Sequence, residues 1–454
     1  RKYYKDNYPL TKKATQSIHL NPGNGTVSRI CHEPKVALKC IETLFEPYLV
    51  KGKLKLLKKT IPISADVSGD NINSIEVLDL ENNSSRVLIG KIYADATELG
   101  DLLPITGCEH VIGTEGKSKT SELHMPKKVS SSNQQAFTVC FALEHKENEE
   151  HVIDRPTEFD YWKDYIPNLT PAWPGKLIDF TYTHPSSGRA KRLGFNPIGS
   201  HKFGIINLWT YRRILSKDNF LPSSKLSDVS LINWPQNDYL EGNLTGVTLE
   251  EKQSHINKAK QLNLSLLYWL QTEAPRGDGG LGWPGLRLRK DIMGTSDGMA
   301  KYPYVRESRR IKALTTIVEQ DCGVENRKLV FGNNEQSNKG KKYHDSVGVG
   351  HYQIDLHPTS GGDNYIDFAT FPFELPLGSL IPRRLNNLIA ASKNIGTTHI
   401  TNGCYRLHPV EWNIGEVAGF LATEAIKKSE TISAIRENSK SLISLQKRIQ
   451  KAGI

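Results

Sequence analysis

Three stretches in the first quarter of the chain alternate apolar and polar residues. They cover residues 53–65, 73–80 and 85–94. A period of two places the apolar side chains of a strand on one face. The pattern therefore predicts a β-meander, and its last strand leads into the turn Asp95-Ala96-Thr97.

Three other stretches repeat apolar residues with the period of a helix. The first helix is predicted to begin near His32, with Pro34 in its first turn. The second follows the capping box Thr248-Leu-Glu-Glu251 and runs to about Gln271. The third covers residues 430–450, and we expect it to pack on its own domain. The apolar positions of this third helix are Ile432, Ile435, Leu442, Leu445 and Ile449.

Near the carboxyl terminus, a short apolar strand (residues 388–391) runs into a loop of small and polar residues. The loop contains His399 and Arg406, and Gly415 then opens a predicted helix. The first N–H groups of a helix have no partner within it, and together with the helix dipole they stabilise negative charge. A histidine can exchange protons near neutral pH. Each of these two side chains is equally compatible with a hydrogen-bonded core position.

The composition indicates a soluble globular protein of two or three domains. The chain has 454 residues, of which 37% are hydrophobic and 24% charged. No run approaches the 18 apolar residues of a membrane-spanning helix. The six cysteines form no C-x-x-C pair, which argues against a zinc ribbon and fits a reducing cytoplasm. We interpret the net charge of +10 as a basic surface without a nucleic-acid partner, because aromatic and basic residues do not interleave.

One glycine motif matches a dinucleotide fingerprint only by its letters. Gly277-Asp-Gly279-Gly-Leu-Gly282 has the G-x-G-x-x-G pattern, but a predicted helix precedes it and Trp283-Pro284 follows. A dinucleotide loop must leave a strand and enter a helix whose N-terminus faces the phosphates. We therefore predict a glycine-rich loop here and no phosphate site.

Three clusters of polar residues are candidates for chemistry. Asp95-Ala96-Thr97 is either close to a cofactor or an ordinary strand end whose aspartate caps the next helix. The arginines of the segment 302–310 either hold an anion or form a structural ion network, and we favour the network, with Glu307 as the internal partner. The histidines and the aspartate of the segment 351–357 alternate along a strand, a spacing too wide for one metal ion. We predict that they form a polar pocket wall and that the chain has no metal site.

In their order along the chain, several segments resemble a broad family of FAD-dependent oxidoreductases with a glutathione-reductase-like FAD-binding fold. The segments are Ser28-Arg-Ile-Cys-His-Glu-Pro-Lys35, Tyr93-Ala-Asp-Ala-Thr-Glu-Leu-Gly-Asp101, Tyr304-Val-Arg-Glu-Ser-Arg-Arg310, Asp345-Ser-Val-Gly-Val-Gly-His351, Ile381-Pro-Arg383, Asn387-Leu-Ile-Ala-Ala391 and Gly415-Glu-Val-Ala-Gly419.

The resemblance implies a mixed α/β fold with a parallel FAD-binding sheet, a β-meander and an inserted substrate domain. It implies domains at 1–104 (FAD-binding), 105–370 (substrate), 371–428 (return to the FAD-binding domain) and 429–454 (terminal helix). FAD would take a hydride from a small organic substrate in the cytoplasm, with His399 and Arg406 as catalytic candidates. The implied cofactor-binding residues are Asp95, Ala96, Thr97, Ser392, Asn394, Ile395, Gly415, Glu416, Val417, Ala418 and Gly419.

Two features depart from the family pattern. The family begins with a strand, a G-x-G-x-x-G loop and a helix that hold the FAD diphosphate, and this sequence has no such unit. Ser392 stands where a glycine is usual. We therefore expect this sequence to be part of a longer polypeptide. The alternative is a non-catalytic carbohydrate- or polyanion-binding protein that has lost the nucleotide unit. On the first hypothesis, the strand end at 95–97 and the segment 387–419 meet in space.

Overall fold

The computed structural model describes residues 1–200, 204–332 and 334–454 of the chain. Its helices are α1 (Lys2–Asn7), α2 (Lys12–Gln16), α3 (Pro34–Val50), α4 (Leu102–Ile105), α5 (Lys117–Thr120), α6 (Phe159–Asp164), α7 (Leu208–Tyr211), α8 (Leu249–Thr272), α9 (Lys290–Met293), α10 (Glu319–Cys322), α11 (Val324–Phe331), α12 (His399–Tyr405), α13 (His408–Lys428), α14 (Ile432–Glu437) and α15 (Ser439–Lys451).

The strands are interspersed with these helices along the chain. They are β1 (Thr60–Ser68), β2 (Asn71–Asp79), β3 (Ser84–Ile89), β4 (Tyr93–Asp95), β5 (His110–Val111), β6 (Phe137–Thr138), β7 (Phe141–His145), β8 (Thr181–Thr183), β9 (Ala190–Arg192), β10 (Arg213–Leu215), β11 (Val229–Ile232), β12 (Asp238–Tyr239), β13 (Leu286–Leu288), β14 (Arg310–Ile311), β15 (Ser346–Gly350), β16 (Ile354–Leu356), β17 (Ile366–Phe368), β18 (Phe373–Pro376) and β19 (Leu388–Ala390).

The architecture is mixed α/β with several small sheets. The predicted meander is present as the antiparallel sheet β1-β2-β3. Two of its predicted boundaries are wrong: the first strand begins at Thr60, and the stretch 85–94 is divided between β3, which ends at Ile89, and β4, which lies outside the meander. A four-stranded antiparallel sheet has the order β10-β11-β7-β13. The strands β4 and β19 pair in parallel, and within the described ranges this pair is what corresponds to the predicted parallel sheet.

Three hydrophobic clusters hold these elements together. The largest joins one face of the meander to β19 and the helices α12 to α15. A second is rich in aromatic side chains and surrounds α8 in the middle of the chain. A third packs the first helices against β10 and β11. The four-part domain division stays a prediction.

The helix α8 confirms its sequence signal. The Thr248 hydroxyl accepts a hydrogen bond from the Glu251 N–H, and the Glu251 carboxylate accepts one from the Thr248 N–H. The helix predicted at 430–450 is in fact two helices, because the Asn438 side chain accepts hydrogen bonds from the N–H groups of Lys440 and Ser441 and starts α15. Its five predicted apolar positions are all buried in the largest hydrophobic cluster, so this face packs within the chain itself.

The helix α3 has its predicted residues but not a buried apolar face. Val36 is buried, whereas Leu38, Ile41 and Leu44 are 56%, 40% and 53% exposed. The outer face of the meander is likewise apolar and exposed at Val87.

Among the described residues, no helix is both long enough and apolar enough to cross a membrane.

Candidate active site

The strand end at 95–97 and the carboxyl-terminal segment meet, as predicted. Tyr93 lies opposite Leu388 in the parallel pair, and Asp95 lies opposite Ala390. Beyond the last pair, the Ala391 N–H donates a 2.8 Å hydrogen bond to the Asp95 carbonyl. Carboxyl ends of parallel strands meet at one edge of a sheet, which is where ligands bind in open α/β sheets.

The Asp95 carboxylate makes its hydrogen bonds within the protein. It is buried, and it accepts hydrogen bonds from the Thr97 N–H and hydroxyl and from the Leu102 N–H. Burial raises the pKa of Asp95, although these hydrogen bonds oppose the rise. The capping alternative therefore describes this side chain, and Ala96, which is exposed, is the open position of the turn.

The loop after β19 is tied to the start of α13 by one carboxylate. Glu411 accepts hydrogen bonds from the Ser392 hydroxyl at 2.8 Å and from the Lys393 N–H at 3.0 Å. Asn394 is buried and donates to the Asp95 carbonyl, and Ile395 lies in the core. The loop is therefore fixed between β4 and α13.

The predicted start of the last long helix at Gly415 is wrong. The helix α13 begins at His408, about two turns earlier, with Pro409 in its first turn. Residues 415–419 are thus interior helical positions whose N–H groups take part in helix hydrogen bonds. Gly415, Glu416 and Gly419 are exposed, whereas Val417 and Ala418 are buried in the core. Proline followed by an acidic first turn was the available signal.

His399 lies in a helix and not in the predicted loop. It is the first residue of α12 and is fully buried. Its Nδ1 lies 2.9 Å from the Glu307 carboxylate, and its backbone N–H donates a hydrogen bond to the Glu115 carboxylate. Burial alone would lower the pKa of His399, but Glu307 raises it above the ordinary value. Glu307 also pairs with Arg310, which confirms that an ion network includes this part of the arginine cluster.

Arg406 follows α12 and reaches open space. Its Nη2 donates a 2.7 Å hydrogen bond to the Asp355 carbonyl and lies 3.8 Å from the Asp355 carboxylate. Its Nε is buried and has no hydrogen-bond partner among the described residues. The guanidinium lines two cavities, of about 440 and about 350 Å³.

Three residues, Tyr304, Arg406 and His408, line both cavities. The larger cavity lies against aromatic and polar side chains of the middle of the chain, and the smaller one includes Lys393 and Glu411. In the described part of the chain, the other residues predicted to be catalytic or to bind the cofactor line neither cavity.

The larger cavity contains a polar group that the sequence only partly indicated. His357 and Asp355 line it, as predicted for a polar pocket wall, whereas His351 is exposed and does not. Behind His357 lies Asp238, which is buried on β12 and pairs with Arg306 at 3.0 Å. Sequence reasoning missed Asp238, because it is a single aspartate on a two-residue strand.

Comparisons with known proteins give one result. The family of FAD dependent oxidoreductases has a sequence model that matches residues 2–449. Neither a search of curated proteins nor a search of solved structures gives a match. The match does not favour the non-catalytic alternative. It covers nearly the whole chain, and the chain therefore belongs to the family of FAD dependent oxidoreductases and uses FAD as its cofactor.

Proposed function

We propose that the chain passes a hydride from a small organic substrate to FAD, and that the substrate lies in the larger cavity beside Arg406. The observation that carries this proposal is the position of Arg406, which lines both cavities next to the N-terminus of α13. One cavity then serves the flavin ring and the other the substrate, with the arginine between them.

The residues around the smaller cavity fit a flavin ring that becomes negative on reduction. The N-terminus of the 21-residue helix α13 and the unpartnered Arg406 Nε are donors at this place. The Lys393 ammonium adds a positive charge, which is paired with Glu98 at 2.7 Å and lies 3.4 Å from Glu411. FAD supplies the two-electron chemistry when bound, and the protein orients the substrate and adjusts the flavin electronically.

The proposal assigns other roles along the same edge. The turn at 95–97 and the loop at 392–395 would contact the dinucleotide through their backbones, since their side chains are mostly bonded to the protein. The flavin ring, which the sequence assigns to residues 415–419, would instead contact His408 and its neighbours at the start of α13. His399 would act as a positioning residue through Glu307 and would not contact the substrate, because its side chain is enclosed beside Glu307.

The test is a titration of the full chain with FAD, followed by the midpoint potential of the bound flavin. Arg406→Met removes a charge that would stabilise the reduced anion. Losing such a charged interaction costs about 1.5–3 kcal/mol, which lowers a two-electron potential by roughly 30–60 mV. Arg189→Met is the matched control, since Arg189 is exposed. A protein that takes up no FAD, or equal potentials in both variants, would contradict the proposal.

A further inference from the structure

His357 is held from one side and open on the other. Its Nδ1 lies 2.5 Å from the Asp238 carboxylate. Its Nε2 is 4.0 Å from Asp355, beyond hydrogen-bonding distance, and no described residue makes a hydrogen bond to it. The side chain is 20% exposed and lines the larger cavity, so this nitrogen is available to a bound molecule.

The protonation state of this pair follows from its surroundings. Burial alone would raise the pKa of Asp238, but Arg306 and His357 lower it below its ordinary value, so Asp238 is ionised. Burial lowers the pKa of His357, and Arg306 lowers it further, against the effect of Asp238. A neutral imidazole beside an ionised carboxylate carries its proton on Nδ1. Nε2 therefore presents a lone pair to the cavity.

Asp238 is itself fixed in place. One of its oxygens accepts a hydrogen bond from the Thr138 hydroxyl and forms a 3.0 Å ion pair with Arg306, and the other oxygen lies against His357. Arg306 is 2% exposed and also donates to the Ala136 carbonyl. Such an aspartate keeps the imidazole in one tautomer and stabilises the imidazolium that forms when Nε2 takes a proton.

We propose that His357 is the general base for a substrate that carries a CH–OH group, with Asp238 as its positioning residue. This rests on the proposed function. The hydroxyl proton goes to Nε2, the C–H hydrogen leaves with its electron pair for FAD, and the C–O bond becomes C=O. The substrate loses two electrons, which FAD gains, and the proton is later released to solvent.

The charges around the cavity are balanced. Arg212 and Arg406 line it against the carboxylates of Asp355 and Asp367, and Arg306 is paired with the ionised Asp238. A neutral hydroxyl brings no net charge into this lining, whereas an ammonium ion would, and the alkoxide that develops as the hydroxyl loses its proton is stabilised by the guanidinium groups.

The test uses 4-nitrophenol, whose O–H proton transfer is visible as the yellow colour of its phenolate. It is added to the FAD-loaded chain, and difference spectra follow the bound probe without any turnover of flavin. We expect saturable formation of phenolate in the wild type, its loss in His357→Gln, and a marked decrease in Asp238→Asn. His344→Gln is the matched control, because that histidine is 71% exposed, and it should behave as the wild type.

The pH dependence is compared with that of the free probe, because 4-nitrophenol itself ionises near neutral pH in water. In the wild type the bound phenolate should persist to a lower pH than the phenolate of the free probe, and in His357→Gln this difference should disappear. Equal phenolate signals in the wild type and His357→Gln, or no saturable signal in the wild type, would overturn the assignment. Binding of FAD is measured separately in each sample, so a failure of the flavoprotein proposal is distinguished from a failure of His357 as the base.

Discussion

The Asn394 side chain reaches across the parallel pair and donates a 2.9 Å hydrogen bond from Nδ2 to the carbonyl of Asp95. Asn394 is fully buried, and its Oδ1 also accepts from the Ser392 N–H. This side chain therefore sets the distance between the two strand ends that form the proposed cofactor edge.

Replacing Asn394 by alanine should lower the free energy of unfolding by about 1–3 kcal/mol, because a buried donor and acceptor are both lost. Urea unfolding followed by tryptophan fluorescence measures it. Asn71→Ala, at an exposed position of the meander, should change stability by no more than about 0.5 kcal/mol. Equal effects of the two substitutions would contradict the structural role of Asn394.

The stability contributed by His399 should depend on pH. Because its pKa is raised in the folded chain, the contribution is complete below the unfolded pKa of about 6.5 and disappears as the pH rises through the folded pKa. The difference in unfolding free energy between the wild type and His399→Gln should therefore be larger at acid than at alkaline pH. A difference that is constant with pH would refute the charged pair with Glu307.

Gly415→Ala tests where α13 begins. An added Cβ would meet only the Ala391 carbonyl oxygen, at 3.9 Å, and the residue is helical. Alanine should raise the unfolding free energy by about 0.5–1 kcal/mol. The affinity for FAD should stay the same. A loss of FAD affinity in this variant would show that the flavin reaches this turn after all.

The exposed face of α3 should tolerate charge. Leu44→Glu should change the unfolding free energy by no more than about 0.5 kcal/mol, because the side chain is already in water. Val36→Glu, on the same helix, should cost several times more, since Val36 is 4% exposed and a buried carboxylate is costly. Denaturant midpoints of both variants make the comparison, and a large loss in Leu44→Glu would mean that this face is covered in solution.

The local features of the fold could be predicted from the sequence. Apolar periodicity identified the meander, and the Thr248 capping box identified the start of α8. Both signals are local, since each depends on neighbouring side chains and backbone groups. The sequence does not predict the start of α13 at His408, because a glycine after a loop suggests a helix start, whereas an exposed helix interior also accepts glycine.

The site was harder to predict because its members come from distant parts of the chain. Arg406 was identified from its loop, and Asp355 and His357 from their alternation on a strand. Asp238 joins them only through the tertiary structure, and its neighbours in sequence do not distinguish it. The exposure of the apolar face of α3 could not be predicted either. Periodicity shows that a helix has an apolar face, but it does not show whether another element covers that face.

The bond between Asn394 and Asp95 joins residues 299 positions apart. Contacts of such long range form late in folding, because the entropy of closing the loop must be paid first. The meander can fold as the chain emerges, but the edge beside β4 must wait for β19 and α13. The proposed flavin edge is therefore complete only after α13 has been made, and the chain without FAD should be the form more open to proteolysis.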